Sequence, residues 1–148
     1  MQKIVSFCLW FITLTLTAQE KSKWDVNNPP GVFKEVSFVT NEGTWMNIDM
    51  SPDGKFIAFD LLGDIYTLPA AGGQATCIRN GLAWEVQPRW SPDGKKILFT
   101  SDAGGGDNIW VMNADGNQAK QITKENFRLL NNAVWMPDGQ YFIARKHF

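Results

Sequence analysis

Histidine is nearly missing from this sequence. The only one, His147, stands beside the final Phe148. A hydrolytic metal site draws on several imidazoles and a carboxylate to hold the ion that activates water. No His-x-His pair is present to begin one, and no Gly-x-Ser-x-Gly segment offers a nucleophilic serine. Cysteine is almost as scarce, with only Cys8 and Cys77. Cys8 falls in an N-terminal apolar stretch expected to be removed, so no internal disulfide is possible. Cys77 reads as a small apolar filler in an alternating strand. Charge of either sign is not in excess: 14 basic and 15 acidic residues are interspersed. That balance excludes a basic stripe for nucleic acid and a charged tail.

Long apolar runs are also lacking, with one short exception. Ile4 to Leu16, behind Lys3, is an apolar stretch of 13 residues, short for a membrane span and right for a signal h-region. Small Ala18 precedes the polar Gln19-Glu20, so residues 1–18 are expected to be a cleaved signal peptide. The destination is then the periplasm or the medium, with no membrane association after cleavage. Residues 19–32 read as an extended lead-in ending in Asn27-Asn28-Pro29-Pro30-Gly31.

What the sequence does have is aromatics, with seven tryptophans and ten phenylalanines, and 44 % apolar residues overall. Aromatics suit half-buried strands, and the content is enough for one packed domain. A short stretch occurs three times, as Met50-Ser51-Pro52-Asp53-Gly54-Lys55, Trp90-Ser91-Pro92-Asp93-Gly94-Lys95 and Trp135-Met136-Pro137-Asp138-Gly139-Gln140. Proline presets the second position of a type I turn, aspartate suits the third, and glycine takes the left-handed conformation that closes the hairpin. An apolar run follows each turn. The prolines recur at intervals of 40 and 45 residues, the spacing of propeller blades.

The chain therefore reads as all-β: a β-propeller fragment of four-stranded antiparallel blades, over residues 33–148. Blade one is expected over about 45–80, with strands Trp45–Met50, Lys55–Leu61, Asp64–Leu68 and Ala75–Arg79. Blade two, over about 85–124, has Val86–Trp90, Lys95–Thr100, Asn108–Asn113 and Ala119–Thr123. Half of blade three, over about 131–148, has Asn131–Trp135 and Gln140–Lys146. Ile65 aligns with Ile109 at a distance of 44 residues although the first two turns are 40 apart. The four extra residues are thus assigned to Ser101–Asp107, in a loop on a face that often binds. Phe33 to Thr40 alternates and is expected to be one further strand. Its Phe38-Val39-Thr40 aligns with the fourth strands, as a strand that closes a ring on the last blade would. Propellers close with roughly four to eight blades, so the sequence is expected to be the N-terminal piece of a longer protein.

Ser91-Pro92-Asp93-Gly94-Lys95 with Asn108-Ile109-Trp110-Val111-Met112, and Asp115-Gly116 ahead of Gln121-Ile122-Thr123, resemble the TolB-type, WD-like propeller repeat. Glu42-Gly43-Thr44-Trp45-Met46, Phe59-Asp60-Leu61-Leu62-Gly63-Asp64-Ile65-Tyr66 and Gln87-Pro88-Arg89 are similar to the N-terminal propeller of exported bacterial amidohydrolases. That resemblance implies a metal-dependent hydrolase domain beyond Phe148 and a non-catalytic role for these blades. Their partner would be the downstream domain of the same chain. The alternatives are a TolB-like propeller contacting envelope proteins and the propeller of a serine peptidase.

No catalytic, cofactor-binding or metal-ligating residue is assigned within the chain, and no cofactor is expected in it. Gly104-Gly105-Gly106 lacks the strand-to-helix frame of a phosphate loop and reads as an inter-strand loop. Asp102, Asp107 and Asn108 offer oxygens suited to calcium, but at spacings no calcium loop uses, so they read as turn residues and a strand start. Asp53, Asp93 and Asp138 are read as turn formers and His147 as an ordinary strand or loop residue. Trp90, Trp110 and Trp135 are read as core between blades.

Overall fold

The computed structural model describes residues 24–148, so the expected signal peptide and the first part of the lead-in lie outside the described residues. Among the described residues ten strands form three antiparallel sheets. The first sheet is β1 (Ile48–Met50), β2 (Phe56–Leu61), β3 (Asp64–Pro69) and β4 (Thr76–Arg79), in chain order. The second is β5 (Glu85–Trp90), β6 (Lys96–Ser101), β7 (Asn108–Asn113) and β8 (Lys120–Gln121), again in chain order. The third is the pair β9 (Leu130–Trp135) and β10 (Phe142–Lys146). The blade plan read from the repeat is therefore present, with strand ends shifted by a few residues. The β6–β7 connection spans residues 102–107 where β2–β3 has only Leu62-Gly63, which is the expected insertion of four.

The turns form as their residues dictate. Gly54, Gly94 and Gly139 have φ of 71°, 70° and 67°. In blade one Gly54 N donates to Ser51 O at 2.8 Å, and Ser51 Oγ donates to Asp53 Oδ1 at 2.7 Å while accepting from Phe56 N at 2.9 Å. Blade two repeats this through Ser91, which donates to Asp93 at 2.6 Å and accepts from Lys96 N at 2.9 Å. Blade three keeps the backbone bond from Gly139 N to Met136 O, but Met136 has no hydroxyl to join the aspartate to the next strand. Successive turns stack. Pro52 lies against the open side of Gly94, and Pro92 against that of Gly139. Gly94→Val puts a β-branched residue in the left-handed region, facing Pro52 Cδ 3.6 Å from the new Cβ. It should cost about 1–3 kcal/mol, read as a lower urea midpoint with unchanged slope.

Sheet two is covered on both faces, and its sequence shows why. The burial of Ile97 to Ser101 in β6 is continuous, whereas in β2 buried positions alternate with half-exposed ones. Ala58 and Ile65 of sheet one meet Ile97, Phe99 and Met112 of sheet two in one core, flanked by Ile78, Trp90 and Trp110. On the other face Leu98 and Ile109 meet Ala133, with Trp135 and Phe142 packed alongside. Each fully buried Phe, Ile or Leu contributes about 1.5–3 kcal/mol, so the two inter-sheet cores, rather than any one sheet, hold the array together.

Two expectations are corrected here. Phe33 to Thr40 forms no strand among the described residues, because no described strand lies beside it to complete a ladder; Val36, Phe38 and Val39 are exposed. The expected first strand shrinks to Ile48–Met50, since Trp45 turns to φ 61° and Asn47 N is taken by the Asp60 side chain instead of a ladder.

Candidate functional site

Buried polar side chains gather at the seam between blades. Asp60 lies in the apolar run of β2 and is 3 % exposed. Its Oδ1 accepts from Asn47 N at 2.8 Å, and its Oδ2 accepts from Asn47 Nδ2 at 2.8 Å and from Gln87 N at 2.6 Å. Gln87 belongs to blade two, so one carboxylate joins two blades. Its amide reaches Asp60 because β5 bulges: Gln87 and Pro88 stand against Phe99 alone, with Gln87 at φ 59°. The device recurs one blade on. Asn132, at φ 51°, donates its N–H to Gln87 Oε1 at 2.7 Å, and Thr100 Oγ1 donates to the same oxygen at 3.0 Å. Asp49 Oδ2 accepts from Trp90 N at 2.7 Å, and Trp135 Nε1 donates to Arg89 O at 3.2 Å.

A second cluster sits where the chain passes from blade one to blade two. Glu85 is 1 % exposed. Its Oε1 accepts from Arg79 Nε at 2.8 Å, while its Oε2 has no partner among the described residues. Burial pushes its carboxyl up, and the Arg79 contact only partly offsets that. Burial likewise raises Asp64 and Tyr66, and partial desolvation followed by the nearby Asp64 charge raises Cys77. Cys77 is exposed on β4 rather than filling a core, with its Sγ 3.5 Å from Arg79 O. A raised thiol is a protonated one, hence a poor nucleophile.

The remaining candidates are occupied with structure. Asp102 Oδ1 accepts from Trp84 N at 2.7 Å, and Gly105 N closes a turn onto Asp102 O at 2.7 Å. Asn108 is buried with both ends of its amide used: Nδ2 donates to Gly106 O and Glu125 O, and Oδ1 accepts from Thr123 Oγ1 and Glu125 N. Asp107 is raised by burial and by Asp102. Among the described residues no group of three or more His, Cys, Asp or Glu stands together as a metal set. His147 Nε2 lies 3.4 Å from Asn131 Oδ1, at the surface. Trp90 and Trp110 pack in the first inter-sheet core, and their indole N–H groups have no partner among the described residues. A shallow groove between the first two turns is lined by Pro52, Asp53, Trp90, Asp93 and Asp115. The hydroxyls of Ser51 and Ser91 hold the carboxyls of Asp53 and Asp93 below their ordinary range.

Glu125 anchors the passage into the third sheet. Lys146 pairs with it, and Phe127 N and Arg128 N donate to its Oε1, holding its carboxyl at about 2 against an ordinary 4.5. The folded chain therefore binds fewer protons here than the unfolded one. This contribution is complete above pH 4.5 and is lost as pH falls toward 2. Asp53 and Asp93 act in the same direction, whereas Glu85 and Asp64, raised by burial, oppose it. Melting temperatures followed through that range should fall less steeply for Glu125→Gln than for the parent; identical slopes would remove Glu125 from the account.

The stacked sheets, repeated turns and polar seams define a sector of a β-propeller. Residues 30–147 match the TolB beta propeller domain, and the chain belongs to that family. It is 30 % identical over 89 residues to Tricorn protease homolog 1 of Streptomyces coelicolor, covering 60 % of this chain and 8 % of that protein. It is 35 % identical over 60 residues to the uncharacterized peptidase YuxL of Bacillus subtilis, covering 40 % of this chain and 9 % of the other. A solved TolB-type protein of Agrobacterium tumefaciens superposes with a TM-score of 0.66 at 25 % identity, over 72 % of this chain and 40 % of its own. The chain thus spans only a small part of the curated relatives it matches.

Proposed function

We propose that these blades are the non-catalytic propeller segment of an exported hydrolase, where they control which substrates reach a catalytic domain on the same polypeptide. The observation that carries this reading is the use of the polar side chains. Asp60, Gln87, Asn108 and Asp102 are each bonded to a neighbouring strand or loop, as parts of a scaffold are. The peptidase names of two relatives favour a peptidase over the amidohydrolase that the sequence resemblance implies. Export rests on the signal-like pattern of residues 1–18.

The test uses the full polypeptide that carries these blades, with and without them, on a short chromogenic peptide and on casein. Retained cleavage of the short peptide with altered size selection supports the proposal. Inactivation by a fluorophosphonate marks a serine peptidase, and loss on chelation marks a metal-dependent amidohydrolase. A full polypeptide with no hydrolytic activity overturns the proposal in favour of a TolB-like interaction propeller.

A further inference from the structure

Five positions in this chain place Asp or Asn directly before glycine: Asp53, Asn80, Asp93, Asp115 and Asp138. Such pairs are chemically vulnerable, because the glycine nitrogen is unhindered and attacks the preceding side-chain carbonyl to form a succinimide. Four of the five are protected by the fold. The N–H groups of Gly54, Gly94, Gly116 and Gly139 each donate to the carbonyl three residues back, at 2.8–2.9 Å. The aspartates at these positions each accept from the backbone N–H two residues ahead. Nucleophile and electrophile are thus held apart in all four turns.

Asn80-Gly81 lacks both restraints. Both residues are exposed, in the link between β4 and β5. The Asn80 side chain makes no hydrogen bond to a described residue, and Gly81, at φ 149°, has open space where a Cβ would stand. We infer that Asn80 is a site of self-modification by deamidation in the folded protein. The Gly81 nitrogen bonds to Asn80 Cγ and gives up its proton to a base. The Cγ–Nδ2 bond then breaks, and Nδ2 leaves as ammonia after gaining a proton. Water opens the resulting succinimide at either carbonyl, to aspartate or isoaspartate. One water is consumed, one ammonia is released, and no oxidant is needed. The product adds a negative charge beside Arg79, the residue that pairs with buried Glu85.

The test incubates the folded chain in mildly alkaline buffer and follows it by isoelectric focusing and peptide mass mapping, with and without urea. A more acidic species should accumulate, with the amide-to-acid mass change and isoaspartate at Asn80. Exposed Asn117 and Asn126, which no glycine follows, should stay intact. Gly81→Ala should slow the change several-fold, and urea should bring isoaspartate to the four turns as well. An Asn80 amide that survives as long as those of Asn117 and Asn126 overturns the inference. So does isoaspartate appearing in the turns of the folded chain as fast as at Asn80.

Discussion

Gly116→Ala is expected to destabilise the protein more than any other single alanine in its turns. A Cβ at this position falls 1.9 Å from the carbonyl oxygen of Ile78 and 2.8 Å from its carbonyl carbon, both backbone atoms of blade one. Gly116 also sits at φ 86°, in the region that L side chains avoid. Neither burden can be relieved locally, because the obstacle is a strand of the neighbouring sheet and not the end of a flexible side chain. Left-handed strain and overpacking together should cost about 4 kcal/mol. Gly54→Ala is the matched control: φ is 71° and nothing lies within 4 Å of the added Cβ. It should cost only about 1 kcal/mol. Urea unfolding of the two variants measures the difference. Equal losses would mean that the Asp115-Gly116 turn does not rest on β4.

Asp60→Leu should have the next largest effect. Leucine fills a similar volume among apolar neighbours, so a reading of β2 from hydropathy alone would favour the change. It leaves Asn47 N, Asn47 Nδ2 and Gln87 N without an acceptor at a buried seam. Stranded donors cost about 1–3 kcal/mol each when buried. With partial rehydration on the Asn47 side, the expected loss is about 4 kcal/mol. Asp60→Asn keeps one acceptor oxygen and should lose about half as much. Hydrogen exchange at Gln87 N should accelerate in both variants. A leucine variant as stable as the parent would show that the seam is held by the apolar cores alone.

These two changes mark where the sequence was legible and where it was not. Turn chemistry is local, so Pro-Asp-Gly placed the hairpins, and the apolar run after each placed β2, β6 and β10. The insertion at residues 102–107 followed from two spacings that disagree. Asp60 escaped notice because a carboxylate within Phe56–Leu61 gains meaning only from a bulge in the next blade. Pro88 was the available sign of that bulge, since proline within a strand cannot donate to its ladder. Glu85 was hidden for the same reason: its repeat-equivalents are Trp45 and Leu130, and only the fold shows Arg79 beside it. Phe33–Thr40 failed in the opposite way. Its alternation is sound, but a strand exists only where a neighbour accepts its hydrogen bonds.

The seam bonds have a common direction. Gln87 N and Trp90 N donate back to Asp60 and Asp49; Asn132 N and Trp135 Nε1 donate back to Gln87 and to the Arg89 carbonyl. In these four bonds the later blade gives the proton and the earlier one accepts it; the Arg79–Glu85 pair, where the chain passes between blades, runs the other way. Such a contact is head-to-tail, with two unlike surfaces, and a blade of this pattern cannot pair face to face with its own copy. Each blade that docks uses one surface and presents the other, so the seam propagates in one sense around an axis. Turning one blade end for end would set donor against donor, which makes the sense of each blade, and not only its composition, part of what these residues encode.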